Sequence, residues 1–319
     1  MPKTDMVSVV VPAYNEERAI GGVLEELRSV VAKIPYRSEI IVVDDGSRDG
    51  TVAAVSALDG VRLIRNPVNL GYGHSLMRGI AASQGDIIAI CDGDGSYDPG
   101  ILKELLEQTR LGADHAIAQR TGPESRRPWL RRLAYRWLCQ YVAGQRVPDA
   151  NSGLRVFRRR LYEEVAADLC LGFSFTTSLT LASLMSGYIV VYVGMPYRSR
   201  IGRSHVRLRD ILRTGQYLFQ LIAAYNPVKL FLPLVVGVGL MSLGSFGAAI
   251  VAGGAWAVTG ILLAAASILL VGLAANAYTV SRASAGPIRV ARVLRRSPAE
   301  EPEGHTATDQ VRDSGGAAL

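Results

Sequence analysis

The chain predicts an α/β architecture, a mostly parallel sheet covered by helices, followed by a pair of membrane-spanning helices. Three observations carry this expectation. From the N-terminus onward, β-branched runs of strand length alternate with helical apolar periodicities. Three of those runs end in polar clusters: Pro12-Ala13-Tyr14-Asn15-Glu16, Asp44-Asp45-Gly46-Ser47 and Asp92-Gly93-Asp94. No charged residue occurs between Lys229 and Arg282. Ligands on open α/β sheets gather at the carboxyl ends of the strands, so three such clusters on one edge predict a site there.

Taken in order, residues 7–11 form a β-branched strand stopped by Pro12, and Ile20, Val23, Leu24, Leu27, Val30 and Val31 mark one face of a helix. Strands follow at 39–43, 61–65 and 87–91, with helices at 51–58 and 74–83 between them. Pro99 opens a helix that runs to about Arg110, at a position where its missing N–H costs nothing. Residues 115–118 read as a strand and 125–142 as a basic amphipathic helix. Residues 173–185 read as a further helix and 189–193 as a strand.

Composition narrows the partners. Lys and Arg total 35 against 28 Asp and Glu, a net charge of +7, which favours an anionic partner such as phosphates or an acidic membrane surface. Cys91, Cys139 and Cys170 have no paired or metal-like spacing and read as reduced thiols, and the scattered histidines argue against zinc. Residues 1–5 are polar and lead straight into a strand, so no secretory signal is expected.

The polar clusters carry chemistry. In Asp92-Gly93-Asp94, carboxylates two residues apart after a strand can point the same way, and two hard oxygen donors suit Mg²⁺ or Mn²⁺ held against a substrate phosphate. Tyr14 can flank a base; Glu16 and Asp44 can accept from ribose hydroxyls or a base N–H. Each cluster also has a plain structural reading as a turn or helix start. No G-x-G-x-x-G follows the first strand and no G-x-x-x-x-G-K-[ST] occurs, which disfavours a dinucleotide fold or a P-loop.

The order Val9-Val10-Val11-Pro12-Ala13-Tyr14-Asn15-Glu16, Val42-Val43-Asp44-Asp45-Gly46-Ser47-Arg48-Asp49-Gly50-Thr51, Asn69-Leu70-Gly71 and Asp92-Gly93-Asp94 resembles family-two glycosyltransferases. The resemblance implies a GT-A fold and inverting transfer from a nucleotide-sugar. It implies that Pro12, Tyr14, Glu16, Val42, Asp44, Asp92 and Gly93 line the nucleotide-sugar pocket, and that Asp92 and Asp94 hold the metal and diphosphate. Asp149-Ala150-Asn151-Ser152-Gly153-Leu154-Arg155 resembles the D-x-x-S-G-x-R segment of the polyprenyl-phosphate glycosyltransferases, the dolichol-phosphate mannose synthase type. Arg200 to His205 resembles their R-x-x-G-E-S-K loop, one residue shorter, with Arg203 for the acid and His205 for the lysine. By this likeness Arg120, Ser152, Arg155, Arg200, Ser204 and His205 bind acceptor or donor phosphates. Asp94, Asp149 and Arg120 form the catalytic set, with Asp149 open to a role as base, as an orienting group or as a brace for its loop.

The arginines and tryptophans interleaved through 125–142 suit a helix at phospholipid headgroups, or a helix packed on its own domain. Residues 206–225 read as an amphipathic bridge. Residues 230–251 and 257–280 are each long enough to cross about 30 Å of hydrocarbon. Arginines flank both outer ends and the turn between has none, so both termini and the catalytic domain are expected in the cytoplasm of a multi-pass membrane protein. The expected division is 1–205 catalytic, 206–228 juxtamembrane, 229–281 transmembrane and 282–319 a basic segment with a disordered tail.

The combined expectation is an enzyme that moves a sugar from a UDP- or GDP-sugar to a polyprenyl phosphate at a membrane, with Mg²⁺ or Mn²⁺. No nucleic-acid partner is expected, and a homo-oligomer is open. A processive polysaccharide synthase is the nearest rival, but Leu133 stands where the Gln of Q-x-x-R-W belongs, before Arg136-Trp137. A non-catalytic membrane scaffold that binds nucleotide-sugar is the other.

Overall fold

The computed structural model describes residues 5–122, 129–172, 174–201, 208–252 and 254–284. The chain through Ser281 forms one compact unit. Its centre is a seven-stranded sheet of order β3-β2-β1-β4-β6-β5-β7. The strands are β1 (Met6–Ala13), β2 (Arg37–Asp44), β3 (Val61–Arg65), β4 (Ile87–Ile90), β5 (His115–Thr121), β6 (Arg155–Arg158) and β7 (Val190–Pro196). Only β6 runs against the others, antiparallel to both β4 and β5. The expected strands and their direction are borne out, and β6 is an addition. A four-residue strand bounded by arginines inside a polar motif has no alternation to announce it.

Helices cover both faces. Val7, Val9 and Val11 point into one core, with α1 (Ile20–Val31), α2 (Thr51–Ser56) and α4 (Leu102–Arg110). Val10, Ile41 and Val43 point into the other, with α3 (Tyr72–Ala82), α6 (Arg159–Val165) and α7 (Phe175–Met185). This is why β1 and β2 read as unbroken apolar runs: a parallel strand buried on both faces shows no polar alternation. A third cluster joins α5 (Trp129–Ala143), α7 and α8 (Leu208–Tyr225) through Cys139, Val142, Leu181, Leu184, Leu218, Leu221 and Ile222. The opposite side of α5 leaves Trp137 65% and Leu133 46% exposed.

Two long helices follow, α9 (Pro227–Ala252) and α10 (Ala255–Ser284). Both are long and apolar enough to cross a membrane, and only 11% and 6% of their most apolar windows are buried. A core helix of a water-soluble domain is mostly buried. Here Leu240, Leu243, Ile250, Leu262 and Ile268 are each more than half exposed, and leaving such a side chain in water forgoes about 1.5–3 kcal/mol. The two helices touch through small groups: Ser242 Oγ donates to Gly260 O (2.8 Å) and Ser267 Oγ to Val235 O (3.1 Å). Lys229, at the start of α9, donates to Tyr141 O (3.0 Å) and so ties α5 to the apolar pair.

Candidate active site

The chain winds β1 to β2 to β3 on one side, then crosses back to place β4 on the other side of β1. That reversal opens a crevice at the carboxyl ends of β1 and β4, the usual place for a ligand in such sheets. The loops leaving β1, β2 and β4 meet there.

The first two are stitched together by their own polar groups. Asn15 takes a left-handed backbone (φ 55°), which Asn tolerates better than most residues. Its N–H donates to Ser47 Oγ (2.9 Å), and its side-chain oxygen accepts from Arg48 N (2.9 Å). Glu16 N donates to Thr51 Oγ1 (2.8 Å). Asp45 pins the next loop by accepting from Leu70 N and Gly71 N, both at 2.9 Å. Gly46 is required: its φ is +74°, and a Cβ would lie 2.7 Å from the Val68 carbonyl carbon. A cavity of about 430 Å³ opens beside this knot, lined by Tyr14, Ser47, Arg48, Arg65, Asn66 and Asn69 among others. Asp44 is fully buried beneath it. Its Oδ1 accepts from Ser47 N (3.2 Å), and its Oδ2 has no hydrogen bond, with Arg65 Nε 3.9 Å away.

The third loop carries the carboxylate pair. Gly93 packs where a Cβ would meet Ile20 at 2.8 Å and Pro12 O at 3.2 Å, so β1 and the loop after β4 are in contact. Asp92 Oδ1 accepts from Tyr72 Oη (2.7 Å). Burial and the charge of Asp94 push its carboxyl up to about 6, against the Tyr72 hydrogen bond and the positive charges of Arg120 and Arg200. Asp94 Oδ1 accepts from Ser96 N (3.0 Å), and its Oδ2 lies 3.4 Å from Arg200 Nε. The other end of that guanidinium donates to Glu16 Oε1. Burial pushes the Glu16 carboxyl up to about 7, with Arg200 pulling the other way.

Arg120 completes the site. Its Nε and Nη2 grip the two oxygens of Asp149, each at 2.8 Å, and its guanidinium carbon lies 5.5 Å from the centre of the Tyr197 ring. Burial alone would raise the Asp149 carboxyl, but the Arg120 hydrogen bonds and charge outweigh it and hold it below the usual carboxylate range.

The structure therefore brings Glu16, Asp92, Asp94, Arg120, Asp149 and Arg200 to one crevice, with Tyr14 on the adjoining cavity and Asp44 buried behind its Ser47 and Arg65. Four of the expected site residues are buried. Arg155 faces no cavity: it is fully buried and donates to Ser152 O (3.0 Å), Thr176 O (2.8 Å) and Thr180 Oγ1 (2.9 Å), so it braces the 150–154 loop against α7. Ser152 is also fully buried, its hydroxyl turned to Leu154 O (3.4 Å). The Val42 side chain sits in the apolar core, not in a pocket. Pro12 is buried at the end of β1 and meets the crevice through its carbonyl, next to Gly93. Ser204, His205 and the 282–319 tail lie outside the described residues apart from the last turn of α10, as does the start of the basic helix. Three residues went unread. Tyr72 directly follows Asn69-Leu70-Gly71 and bonds Asp92. Tyr97 accepts from Gly153 N (2.7 Å), and Gly153 lies hard against Asp92. A glycine beside a polar motif was the available signal.

Asp92 and Asp94 offer a cation two carboxylates, and among the described residues no group of three or more His, Cys, Asp or Glu forms a metal site. Two carboxylates on one loop, with substrate phosphates completing the shell, is how Mg²⁺ and Mn²⁺ are commonly held, and a guanidinium already stands against this carboxylate group.

Comparison with known proteins agrees with this fold. The family described as Glycosyl transferase family 2 matches residues 8–166. A dolichyl-phosphate hexose transferase from Haloferax volcanii is 30% identical over 204 residues, covering 63% of this chain and 86% of that protein. A polyprenol monophosphomannose synthase from Mycolicibacterium smegmatis is 29% identical, covering 62% and 79%. An undecaprenyl-phosphate 4-deoxy-4-formamido-L-arabinose transferase from Aeromonas hydrophila is 28% identical over 173 residues, and this chain spans about half the length of that relative (52%). Among solved structures, glucosyl-3-phosphoglycerate synthase from Mycobacterium tuberculosis, crystallised with Mn²⁺, uridine diphosphate and phosphoglyceric acid, superposes with a TM-score of 0.54 at 25% identity, over 69% of this chain and 76% of that one. The shared sheet is of the GT-A type, and the chain belongs to glycosyl transferase family 2.

Proposed function

We propose that this protein is a membrane-bound inverting glycosyltransferase that moves a sugar from a UDP- or GDP-sugar to a polyprenyl phosphate. The observation that carries the reading is Asp94 standing 3.4 Å from Arg200 at one strand rim, with Asp92 two residues before it and Arg120 held nearby by Asp149: two carboxylates for a cation beside guanidinium forks for phosphate. The relatives named above act on polyprenyl-type phosphates, and the solved neighbour holds Mn²⁺ and a nucleoside diphosphate.

In this reading the base enters the cavity beside Tyr14, and Asp44, buried behind Arg65, accepts from a base N–H once that side chain moves aside. Glu16 takes a ribose hydroxyl. Asp92 and Asp94 hold Mg²⁺ or Mn²⁺, which supplies Lewis-acid stabilisation of the departing diphosphate. Arg120 adds positive charge beside it. Asp149 keeps Arg120 in place and, held ionised by it, is a positioning residue and not the base. The acceptor needs none, since a phosphate monoester with a second pKa near 6 is largely dianionic at neutral pH. Its oxygen attacks the anomeric carbon as the diphosphate leaves from the opposite face. Residues 1–205 form the catalytic domain and 206–228 the juxtamembrane bridge. The 229–281 hairpin spans the membrane, with both termini and the catalytic domain cytoplasmic, a reading the arginine flanks support.

The test is a panel of labelled UDP- and GDP-sugars offered with short polyprenyl phosphates in detergent, reading label in the organic phase with Mg²⁺ or Mn²⁺. Asp94→Asn is expected to lose at least about a hundredfold in rate while its circular dichroism and melting curve stay those of the wild type. Full activity in that variant would remove the metal role.

A further inference from the structure

Arg200 stands where a cation is wanted. Its Nη2 donates to Glu16 Oε1 and its Nε lies 3.4 Å from Asp94 Oδ2, an ion-pair distance outside hydrogen-bond geometry. The two carboxylate side chains are 9% and 12% exposed, while the Arg200 side chain is 30% exposed. The Arg200 side chain is therefore more open to solvent than either acid, although its Nε is buried against Asp94. The backbone holds the arrangement: Ile201 N donates to Asp94 O and Arg198 N to Ser96 O, both at 3.1 Å, so the segment after β7 lies along the carboxylate loop. Neighbouring Arg198 is engaged elsewhere, with Glu26 (3.1 Å) and Asp98 (3.2 Å). Buried carboxylates without a partner are costly, so a positive group at this place balances their charge. A divalent cation bound to Asp94 Oδ2 would meet the same guanidinium as a like charge at contact.

We propose that Arg200 is a built-in counter-ion of the carboxylate site, displaced from Glu16 and Asp94 when a divalent cation enters, and that its transfer to the incoming diphosphate couples metal binding to nucleotide binding. This rests on the metal and donor reading above. A cation arriving alone must strip the carboxylates of Arg200 and leave the guanidinium with no anion. A cation arriving with a diphosphate provides one, since guanidinium forks match phosphate oxygens as well as carboxylates. Metal and diphosphate therefore strengthen each other's binding by the same factor.

The experiment uses the full chain in detergent and follows free Mn²⁺ by electron paramagnetic resonance, without nucleotide and then with UDP or GDP. Arg200→Gln is expected to bind Mn²⁺ alone on the order of tenfold more tightly than wild type, the scale of one charge-assisted hydrogen bond. The nucleotide should then add less than it does in wild type. Arg198→Gln, which loses a similar charge nearby, should change Mn²⁺ affinity by less than about twofold. A second measurement needs no variant: phenylglyoxal labelling of Arg200, read by mass spectrometry, should speed up when Mn²⁺ alone is added to the wild type. Equal or weaker Mn²⁺ binding by Arg200→Gln, or labelling that Mn²⁺ leaves unchanged or slows, overturns the proposal. Asp94→Asn separates the readings. Mn²⁺ binding that depends on Asp94 but not on Arg200 removes only the counter-ion role. No Mn²⁺ binding in any form, even with nucleotide, removes the metal reading and this proposal together.

Discussion

At the scale of single residues, Gly153 shows how little room the site leaves. A Cβ there would lie 1.8 Å from Asp92 Oδ2, far inside contact distance. Its N–H is also fixed, donating to Tyr97 Oη at 2.7 Å, so the backbone cannot simply back away. Gly153→Ala is therefore expected to push the Asp92 carboxylate off its Tyr72 hydrogen bond. A displacement of about 1 Å at such a centre costs about a hundredfold in rate. Transfer assays and Mn²⁺ titration on the purified variant check this; unchanged Mn²⁺ affinity would place the metal away from Asp92. Arg155 makes the opposite point. Its motif position suggested a phosphate ligand, yet its donors all face inward to Ser152 O, Thr176 O and Thr180 Oγ1. Motif spacing reports chain position, and only the packing of α7 against the loop tells which way the guanidinium turns.

At the scale of elements, the segment 149–153 is held at two ends. Asn151 Oδ1 accepts from Thr176 Oγ1 of α7 at 2.8 Å, and Asp149 is gripped by Arg120 at the end of β5. This brace is a largely buried ion pair, with side chains 16% and 9% exposed. Removing one partner of such a pair costs about 3–5 kcal/mol, because the other charge stays buried. Asp149→Asn should therefore lower the melting temperature at pH 7 and lose activity through a misplaced Arg120. The pH dependence has a definite sign. Asp149 has a folded pKa below its ordinary value, so its contribution is complete above about pH 4 and is lost as pH falls through the depressed value. The stability gap between wild type and variant should narrow below about pH 4, and thermal melts in detergent at pH 7 and pH 3.5 test it. A gap independent of pH would show that Asp149 contributes no charge to the brace.

At the scale of the whole molecule, the sheet with its helices and the α9–α10 pair are built on different solvents. The sheet buries its apolar runs within itself, whereas α9 and α10 expose theirs and meet mainly through Ser242, Gly260 and Ser267. A chain stopped after Asn226 keeps α8 and its packing on α7. It is expected to bind nucleoside diphosphate within about threefold of the full chain and to be washed from membranes by alkaline carbonate, which should leave the full chain in the pellet. Release of the full chain under the same wash would contradict a spanning hairpin.

The amino-acid order alone determined the alternation of strands and helices, the rim on which Glu16, Asp44, Asp92 and Asp94 stand, and the two apolar helices. Those follow from local periodicity and from strand parity, which need no knowledge of neighbours. Only the tertiary structure decided the insertion of β6 against the sheet, the inward turn of Arg155, the pairing of Arg120 with Asp149, and the place of Arg200 between Glu16 and Asp94, 184 positions from the first of these in the chain. Such choices depend on which charge finds which partner once water is excluded, and that is set by packing across the fold and not by spacing along the chain.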